Sequence, residues 1–553
     1  MKEIRTPRVA YFCMEFGLHE DLPIYAGGLG VLAGDYLKAA RELELPIVGI
    51  GILWKQDYTD QYIEEGRPID RYIDYNFEMV EPTGKEVKVE IRGETVTCKI
   101  HKVDCYGNMP LFLLDTNFPG SKHGWMTRRL YGGGEQDRVA AEIILGVGGV
   151  RALRALGIEV DIYHLNEGHA VLCGLELIRE KMQNQGLSFH EAWKRTRREI
   201  IFTTHTPVKS AHEQYPLDFL EYMGAFNGLS REEVKEIGGD PFNMTAAALL
   251  LSYMANGVSK LHGRTTCRMW KEVDQAACII SITNGVHNPT WQHPAIRRAF
   301  EQNGDLEAVH RENKQRLIDY IREKRQVQLD PDVLLVGFAR RAAPYKRSDL
   351  IFRASELINP LLEEGKLQLV FSGKAHPNDE IGKSIIEQLV KMERHYGQRV
   401  VFLENYNMEI ARLMVQGCDV WLNNPRRPME ASGTSGMKAA MNGVLNLSVM
   451  DGWVGEGVQH GISGWLIDSE LNKQLNAEQQ DEQDLRQLYR VLLDEVIPAY
   501  YHNREHWREM MRASIDMAHW QFSTRRMIRE YFDLMYKPAF EAQNSPSPSP
   551  LPG

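Results

Sequence analysis

The sequence predicts an α/β protein of two Rossmann-like, doubly wound domains facing a central cleft, with a β-hairpin inserted in the first. Three observations carry that expectation. At 553 residues the chain is too long for one hydrophobic core. Strand-length apolar runs alternate with helix-length stretches, the pattern of parallel sheets covered on both faces. That pattern occurs twice, separated by a turn-rich change of texture between Asn284 and Asp332.

The first set opens with RVAYFCMEFG, an apolar strand running into a loop. YAGGLGVLAGDYLKAARELELPIVGIGILW then gives a glycine turn, a helix and a second buried strand, a βαβ unit. EVKVEIRGETVTCKI alternates with period two about Arg92-Gly93-Glu94 and predicts the inserted hairpin. AAEIILGVGGVRALRALG predicts a helix, VDIYHLNE the end of a strand and REIIFTTHTP another strand. LEAVHRENKQRLIDYIREKRQ has the spacing of an amphipathic connecting helix. DVLLVGFA, LQLVFSG, RVVFLEN, DVWLNN and GVLNLSV predict the second parallel sheet. The expected division is a first domain over 1–300, a connecting helix over 301–330 and a second domain over 331–512. A C-terminal helix over 513–540 is expected to pack back across the domains, and a Pro/Ser tail over 541–553 to be disordered.

Composition narrows the function. Hydrophobic residues make up 43% and charged residues 25%, as in soluble globular proteins. No apolar run approaches the roughly 18 residues of a membrane span. The start, MKEIRTPRVAYF, lacks the apolar core and cleavage site of a secretory signal. A cytoplasmic protein with no membrane partner is expected. A net charge of −10 argues against a nucleic-acid surface. Seven cysteines, an odd number without a C-x-x-C, predict reduced buried thiols and no metal site.

Doubly wound domains place ligands at the carboxyl ends of strands, so the strand-end loops are the ones to read. YAGGLGVLAG sets Gly27, Gly28 and Gly30 between a strand and a helix, where backbone N–H groups and the helix dipole favour an anion. Tight-turn sterics would explain the same glycines. GFARRAAPYKRSD holds Arg340, Arg341, Lys346 and Arg347 after the first strand of the second domain. Positive charge at a helix start opposes the dipole, which favours a phosphate clamp over a solvated patch. In EASGTSGMKAAMNG, Thr434, Ser435 and Gly436 can form a phosphate-cradling turn, with Lys438 in the first turns of the following helix. A lysine beside its own phosphate cup is what pyridoxal phosphate requires.

On these motifs the chain resembles the glycogen/α-glucan phosphorylases. EASGTSGMKAAMNG is similar to that family's pyridoxal-phosphate site, RRAAPYKR to its phosphate-binding strand end and GGLG to its N-terminal glycine loop. FTTHT, LNEGH, ITNG and FLENYN fall in the family's order, and the likeness runs from about residue 8 to 535. The resemblance implies the GT-B arrangement, pyridoxal 5′-phosphate as cofactor, and an α-glucan with inorganic phosphate or glucose 1-phosphate as partners. It also implies a homo-oligomer. Terminal α-1,4-linked glucose would leave glycogen, starch or maltodextrin as glucose 1-phosphate with retention, the cofactor's phosphate exchanging a proton with the substrate phosphate.

Carried over by position, Lys438 resembles the residue that takes the cofactor aldehyde. Thr434, Ser435, Gly436 and Arg340 resemble the groups around the cofactor phosphate, and Tyr406 the tyrosine beside its ring. Arg341, Lys346 and the backbone at Gly28 and Leu29 look like the inorganic-phosphate site, with Tyr345 beside it. Glu430, Ala431, Ser432 and Gly433 resemble contacts to the glucosyl hydroxyls, and Asn284 lies near the 6-hydroxyl. His205 matches the histidine whose main-chain carbonyl faces the charge developing at the anomeric carbon. Two phosphates held together must share a proton, which makes the pair an acid near neutral pH.

The sequence also departs from the family. Ala26 replaces an asparagine before the glycine loop, Arg340 replaces a lysine, and Ala342-Ala343-Pro344 lacks a His-Glu pair. With seven residues before the first strand and no phosphorylation tail, a compact, allosterically simple enzyme is expected. His164 and His169 could be imagined as a metal pair, but a structural or sugar-contact role needs no third ligand. Asp451 with Glu456 could be a hydrolytic pair or turn residues, and Trp453 a sugar platform or core. The rival functions are a nucleotide-sugar glucan synthase of the same fold, which needs no Lys438, and a catalytically silent glucan-binding protein.

Overall fold

A computed structural model of the chain describes residues 5–208, 212–468 and 475–544. Its contacts divide the chain into two α/β units, each with a parallel sheet. The first holds the chain through Tyr58, Ile73–Thr283 and everything from Met527 onward; the second holds Thr59–Tyr72 and Asn284–Arg526.

In the first unit, nine strands form one sheet in the order Cys278–Ser281, Met254–Gly257, Ile200–Thr203, Ile162–Asn166, Val9–Phe12, Ile47–Ile52, Leu111–Asp115, Glu94–Val103, Glu81–Ile91. The first seven run parallel. The last two are antiparallel and pair Val87 with Cys98 and Val89 with Val96. The central strands VAYF and IYHLN are buried at every position, as strands covered on both faces must be. From the central strand Val9–Phe12 the chain winds outward both ways, so its winding reverses between that strand and Ile162–Asn166. The C-terminal segment completes this core: Tyr536 Oη lies 2.6 Å from both Tyr36 Oη and His164 Nδ1.

In the second unit, six strands are all parallel in the order Val400–Leu403, Leu367–Ser372, Leu334–Ala339, Val420–Asn423, Leu445–Val449, Gly464–Ile467. Numbered along the chain this is third, second, first, fourth, fifth, sixth, with the reversal between Leu334–Ala339 and Val420–Asn423. The helix Leu306–Arg325 is tied to this sheet by Lys314, whose Nζ donates to Asp419 Oδ2 at 2.6 Å.

A hairpin from early in the chain, Asp60–Glu64 with Arg67–Arg71, also belongs to this unit. Gln61 and Ala375 exchange two hydrogen bonds, of 3.2 and 2.9 Å, and Glu404 accepts from Ile63 N at 2.6 Å. The sequence reading contained no such hairpin, because YTDQYIEEGRPIDRY mixes charge and apolar residues without a clean period of two.

The helix that ends the described chain reaches Asn544, so 541–544 are helical rather than tail, and the rest of the Pro/Ser stretch lies outside the described residues. All seven cysteines are free, but Cys105, Cys267 and Cys278 are exposed, which corrects the expectation that every thiol is buried. No helix among the described residues is long and apolar enough to cross a membrane.

Candidate active site

In open α/β sheets the place for a ligand is outside the carboxyl ends of the two strands where winding reverses. Each unit has one such point, and the predicted residues gather at both.

In the first unit the reversal is flanked by Glu15, just past Val9–Phe12, and Glu167, just past Ile162–Asn166. Glu15 Oε2 accepts from Ala26 N at 2.6 Å and Gly27 N at 3.1 Å, and its other oxygen accepts from Tyr131 Oη at 3.0 Å. Two amides of the predicted anion loop are therefore taken by the protein's own carboxylate. Gly28 opens the helix Gly28–Glu42 and is exposed; Leu29 is half-buried against the core. A Cβ built on Gly28 would meet nothing within 4 Å, and its φ is not positive. Neither packing nor backbone conformation demands glycine there. The open space is what close approach of a ligand needs.

Glu167 has φ +74°, a conformation that favours glycine and costs a residue with a side chain about 1–3 kcal/mol. Its carboxylate accepts His205 N at 2.7 Å, with Thr206 Oγ1 at 3.3 Å. His205 Nε2 donates to Asn166 Oδ1 at 2.6 Å, and burial pushes its pKa down to about 3, so the ring is neutral. Burial also raises Glu15 and Glu167 above the usual carboxyl range against the pull of their amide donors. His164 is enclosed between Tyr536 Oη and Thr203 Oγ1, 2.7 Å away, and is structural. Among the described residues no cluster could hold a metal ion.

In the second unit Arg340 stands directly after Leu334–Ala339 and reaches across the reversal to Asn423 Oδ1, at the end of Val420–Asn423. Its Nη2 and Lys346 Nζ both donate to Glu430 Oε2 at 2.6 Å, and all three side chains are buried. Despite desolvation, the Arg340 and Lys346 charges hold the Glu430 carboxyl down at about 2. Arg341 is exposed and makes no ion pair or hydrogen bond among the described residues, so the loop carries more positive charge than Glu430 balances. Tyr345 is half-buried beneath Lys346, whose Nζ is 4.6 Å from its ring centroid. Arg347 turns away: with no exposed surface, it binds Asp481 at 2.9 Å, Asp484 at 2.7 Å and two backbone carbonyls.

The stretch from Glu430 to Gly443 folds as a turn, the helix Ser435–Ala440 and a glycine stop before Leu445–Val449. Gly433 at φ +76° and Gly443 at φ +75° need glycine for conformation. Gly436 needs it for packing, since a Cβ would stand 2.5 Å from Asn446 Oδ1. Ala431, Thr434 and Ser435 are half-buried, and Ser435 Oγ accepts from Trp421 Nε1 at 3.1 Å. Ser432 is buried, and its Oγ has no partner among the described residues. Asn284 Oδ1 is likewise buried without one. Lys438 is 7% exposed, with Nζ 3.6 Å from the centroid of Trp291. Trp291 is held there by its carbonyl, which accepts from Gln416 and Asn442. Tyr406 is half-buried beside Arg340, and burial raises its phenol well above the usual range.

These residues fit pyridoxal phosphate. The buried amine, the surplus of cations, the hydroxyl-bearing turn and the unsatisfied Ser432 Oγ are a donor set for an aldehyde and a phosphate. Trp453 is 1% exposed and packs on Phe522 at 4.6 Å, so it is core. Sequence reasoning missed Trp291, Asn423, Glu15 and Glu167. Only the last two carried a signal, a carboxylate immediately after an apolar strand.

Comparison with known proteins identifies the family. A family model described as carbohydrate phosphorylase matches residues 151–225 and 293–456. A maltodextrin phosphorylase of Thermococcus litoralis is 39% identical over 96% of this chain and 70% of its own. A glycogen phosphorylase of Aquifex aeolicus is 35% identical over 96% of this chain and 86% of its own. An uncharacterised protein of Methanocaldococcus jannaschii is 33% identical over 96% of this chain and 99% of its own. With the basic loop, the buried lysine and these relatives together, the chain belongs to the carbohydrate phosphorylase family.

Proposed function

We propose that the protein is an α-glucan phosphorylase. It transfers terminal α-1,4-linked glucose from glycogen, starch or maltodextrin to inorganic phosphate, giving α-D-glucose 1-phosphate with retention. The observation that carries the proposal is Lys438: a buried amine on the helix that follows the Glu430–Gly433 turn, whose Glu430 gathers Arg340 and Lys346. A glucan synthase using a nucleotide sugar has no use for it. The two units are taken as the Rossmann-like halves of a GT-B enzyme, each contributing its own loops to the reaction.

Lys438 would hold the aldehyde of pyridoxal 5′-phosphate, Thr434, Ser435, Gly436 and Arg340 its phosphate, and Tyr406 one flank of its ring. When bound, the cofactor supplies a phosphate that can exchange a proton with the substrate phosphate. The chain's own residues do the rest. Arg341 and Lys346 bind the attacking phosphate, and their charge counts most as the glycosidic bond to the glucan breaks, the sugar turns cationic and negative charge builds on the phosphate in the transition state. Ser432 Oγ and Asn284 Oδ1, buried without partners among the described residues, accept hydrogen bonds from sugar hydroxyls. Glu167 fixes the His205 main chain, so that its carbonyl stabilises positive charge at the anomeric carbon. The open backbone at Gly28 lets substrate approach the amides that Glu15 leaves unoccupied.

Incubation of the cofactor-loaded protein with maltodextrin and inorganic phosphate, followed by phosphorus NMR, tests the proposal. Phosphate-dependent appearance of α-glucose 1-phosphate supports it. Glucan elongation from a nucleotide glucose, with no phosphorolysis, would replace it with the synthase reading.

A further inference from the structure

The Glu430–Gly433 turn has no regular structure, yet its first residue gathers Arg340 and Lys346 of the basic loop. One neighbouring segment holds it in place. Asp451 Oδ2 accepts from Glu430 N at 2.9 Å, and Trp453 N donates to Ser432 O at 3.1 Å. Between them Gly452 comes so near that a Cβ would stand 2.2 Å from Ser432 O. Asp451 Oδ1 accepts from Gly452 N at 2.9 Å, which locks the gripping segment itself. The carboxyl is 1% exposed and lies two residues past the strand Leu445–Val449, so the sheet sets its position.

We infer that Asp451 is a positioning residue for phosphorolysis. Through the Glu430 amide it fixes where the Glu430 carboxylate stands. That in turn sets where Arg340 and Lys346 present their charge and where Ser432 offers its unsatisfied hydroxyl. This deepens the phosphorylase proposal and rests on it. The same geometry accounts for Asp451 as a turn residue, because both carboxyl oxygens are engaged by backbone amides.

Protonation supports the assignment. Burial raises the Asp451 carboxyl to about 7, opposed by the Glu430 and Gly452 amides and the Arg427 guanidinium and reinforced by the Glu430 charge. An ionised carboxylate accepts amide N–H groups more strongly than a neutral acid. The grip on the turn therefore tightens as pH rises across neutrality.

The test is Asp451→Asn in the cofactor-loaded, full-length protein. An amide has one acceptor oxygen, so the Glu430 or Gly452 amide loses its partner. The expected result is a raised phosphate KM and a lowered kcat, together about a 10²-fold loss in kcat/KM for phosphate, as for ångström-scale misplacement of reacting groups. Bound-pyridoxal absorbance is retained, and the rise in melting temperature on adding inorganic phosphate is diminished. Glu456→Gln, half-buried in the same segment and outside the contacts that hold the turn, leaves all four quantities unchanged. Gly452→Ala, which presses on Ser432 O, shifts the same constants and serves if Asp451→Asn fails to fold. Wild-type phosphate KM and kcat in the folded variants would overturn the inference. Absence of phosphorolysis in the unmutated protein would instead overturn the functional proposal, and the inference with it.

Discussion

At the winding reversal of the first unit stand Glu15, buried, and Glu167, half-buried, two carboxyls whose partners are mostly backbone amides and hydroxyls. At the reversal of the second stand Arg340 and Lys346, converging on the single carboxylate of Glu430, with Arg341 exposed beside them. Burial pushes the first pair of carboxyls up, and the second unit's cations hold Glu430 down at about 2. Both sheets reverse their winding in the same way, so strand order makes a place for a ligand without choosing it. The residues at the strand ends make the choice. A carboxylate-lined, hydrogen-bonding surface suits sugar hydroxyls, and a cationic one suits phosphate.

The difference can be broken from either side. Arg341→Ala should have the largest effect, because Arg341 is exposed and has no partner among the described residues, which leaves its charge for phosphate. We expect kcat/KM for phosphate to fall by about 10²-fold or more, the cost of removing one electrostatic donor, with glucan KM unchanged. Steady-state kinetics with each substrate varied in turn would show it. An effect on glucan alone would move the clamp elsewhere.

Glu167→Gln attacks the first unit. It weakens the charge-assisted hold on His205 N and should cost about 1.5–3 kcal/mol in kcat, with phosphate KM left as it was. A rise in phosphate KM would contradict the division of roles between the units.

A third prediction concerns pH. The folded pKa of Glu430 lies below the ordinary 4.5 of a glutamate. Its contribution to stability is therefore complete above pH 4.5 and lost as pH falls toward about 2. The stability gap between wild type and Glu430→Gln should be about 2 kcal/mol near neutrality and close over that window. Urea melts at stepped pH would measure it.

Gly28→Ala should be the mildest change. Because a Cβ there meets nothing, stability should stay within about 0.5 kcal/mol of wild type, while substrate KM rises. A destabilised Gly28→Ala would mean that the glycine serves packing instead.

The second sheet was more legible in sequence than the first. DVLLVGFA, LQLVFSG and GVLNLSV are predominantly apolar runs of seven or eight residues, and each became a buried strand. Met254–Gly257 and Cys278–Ser281 escaped because four residues, one strand including Asn256 and Gly257, give no periodicity to count. The same contrast holds at the site. Arg340, Lys346 and Lys438 announced themselves as charge beside glycine and hydroxyl residues. Trp291 did not, because nothing local connects it to Lys438, 147 positions along the chain by the two residue numbers. Arg347 read as a member of the basic cluster, but its αL backbone, φ +53°, turns it to Asp481 and Asp484. Sequence adjacency cannot reveal which way a side chain leaves a turn.

The central claim is that Lys438 and the basic loop of the second unit are built for pyridoxal phosphate. The most direct test is the absorbance spectrum of wild type and Lys438→Ala after reconstitution with the cofactor and removal of the excess, alongside phosphorolysis. Wild type should show bound-pyridoxal absorbance and phosphorolysis, and a folded Lys438→Ala should lose both. A Lys438→Ala protein that retains full phosphorolysis without added pyridoxal phosphate would contradict it.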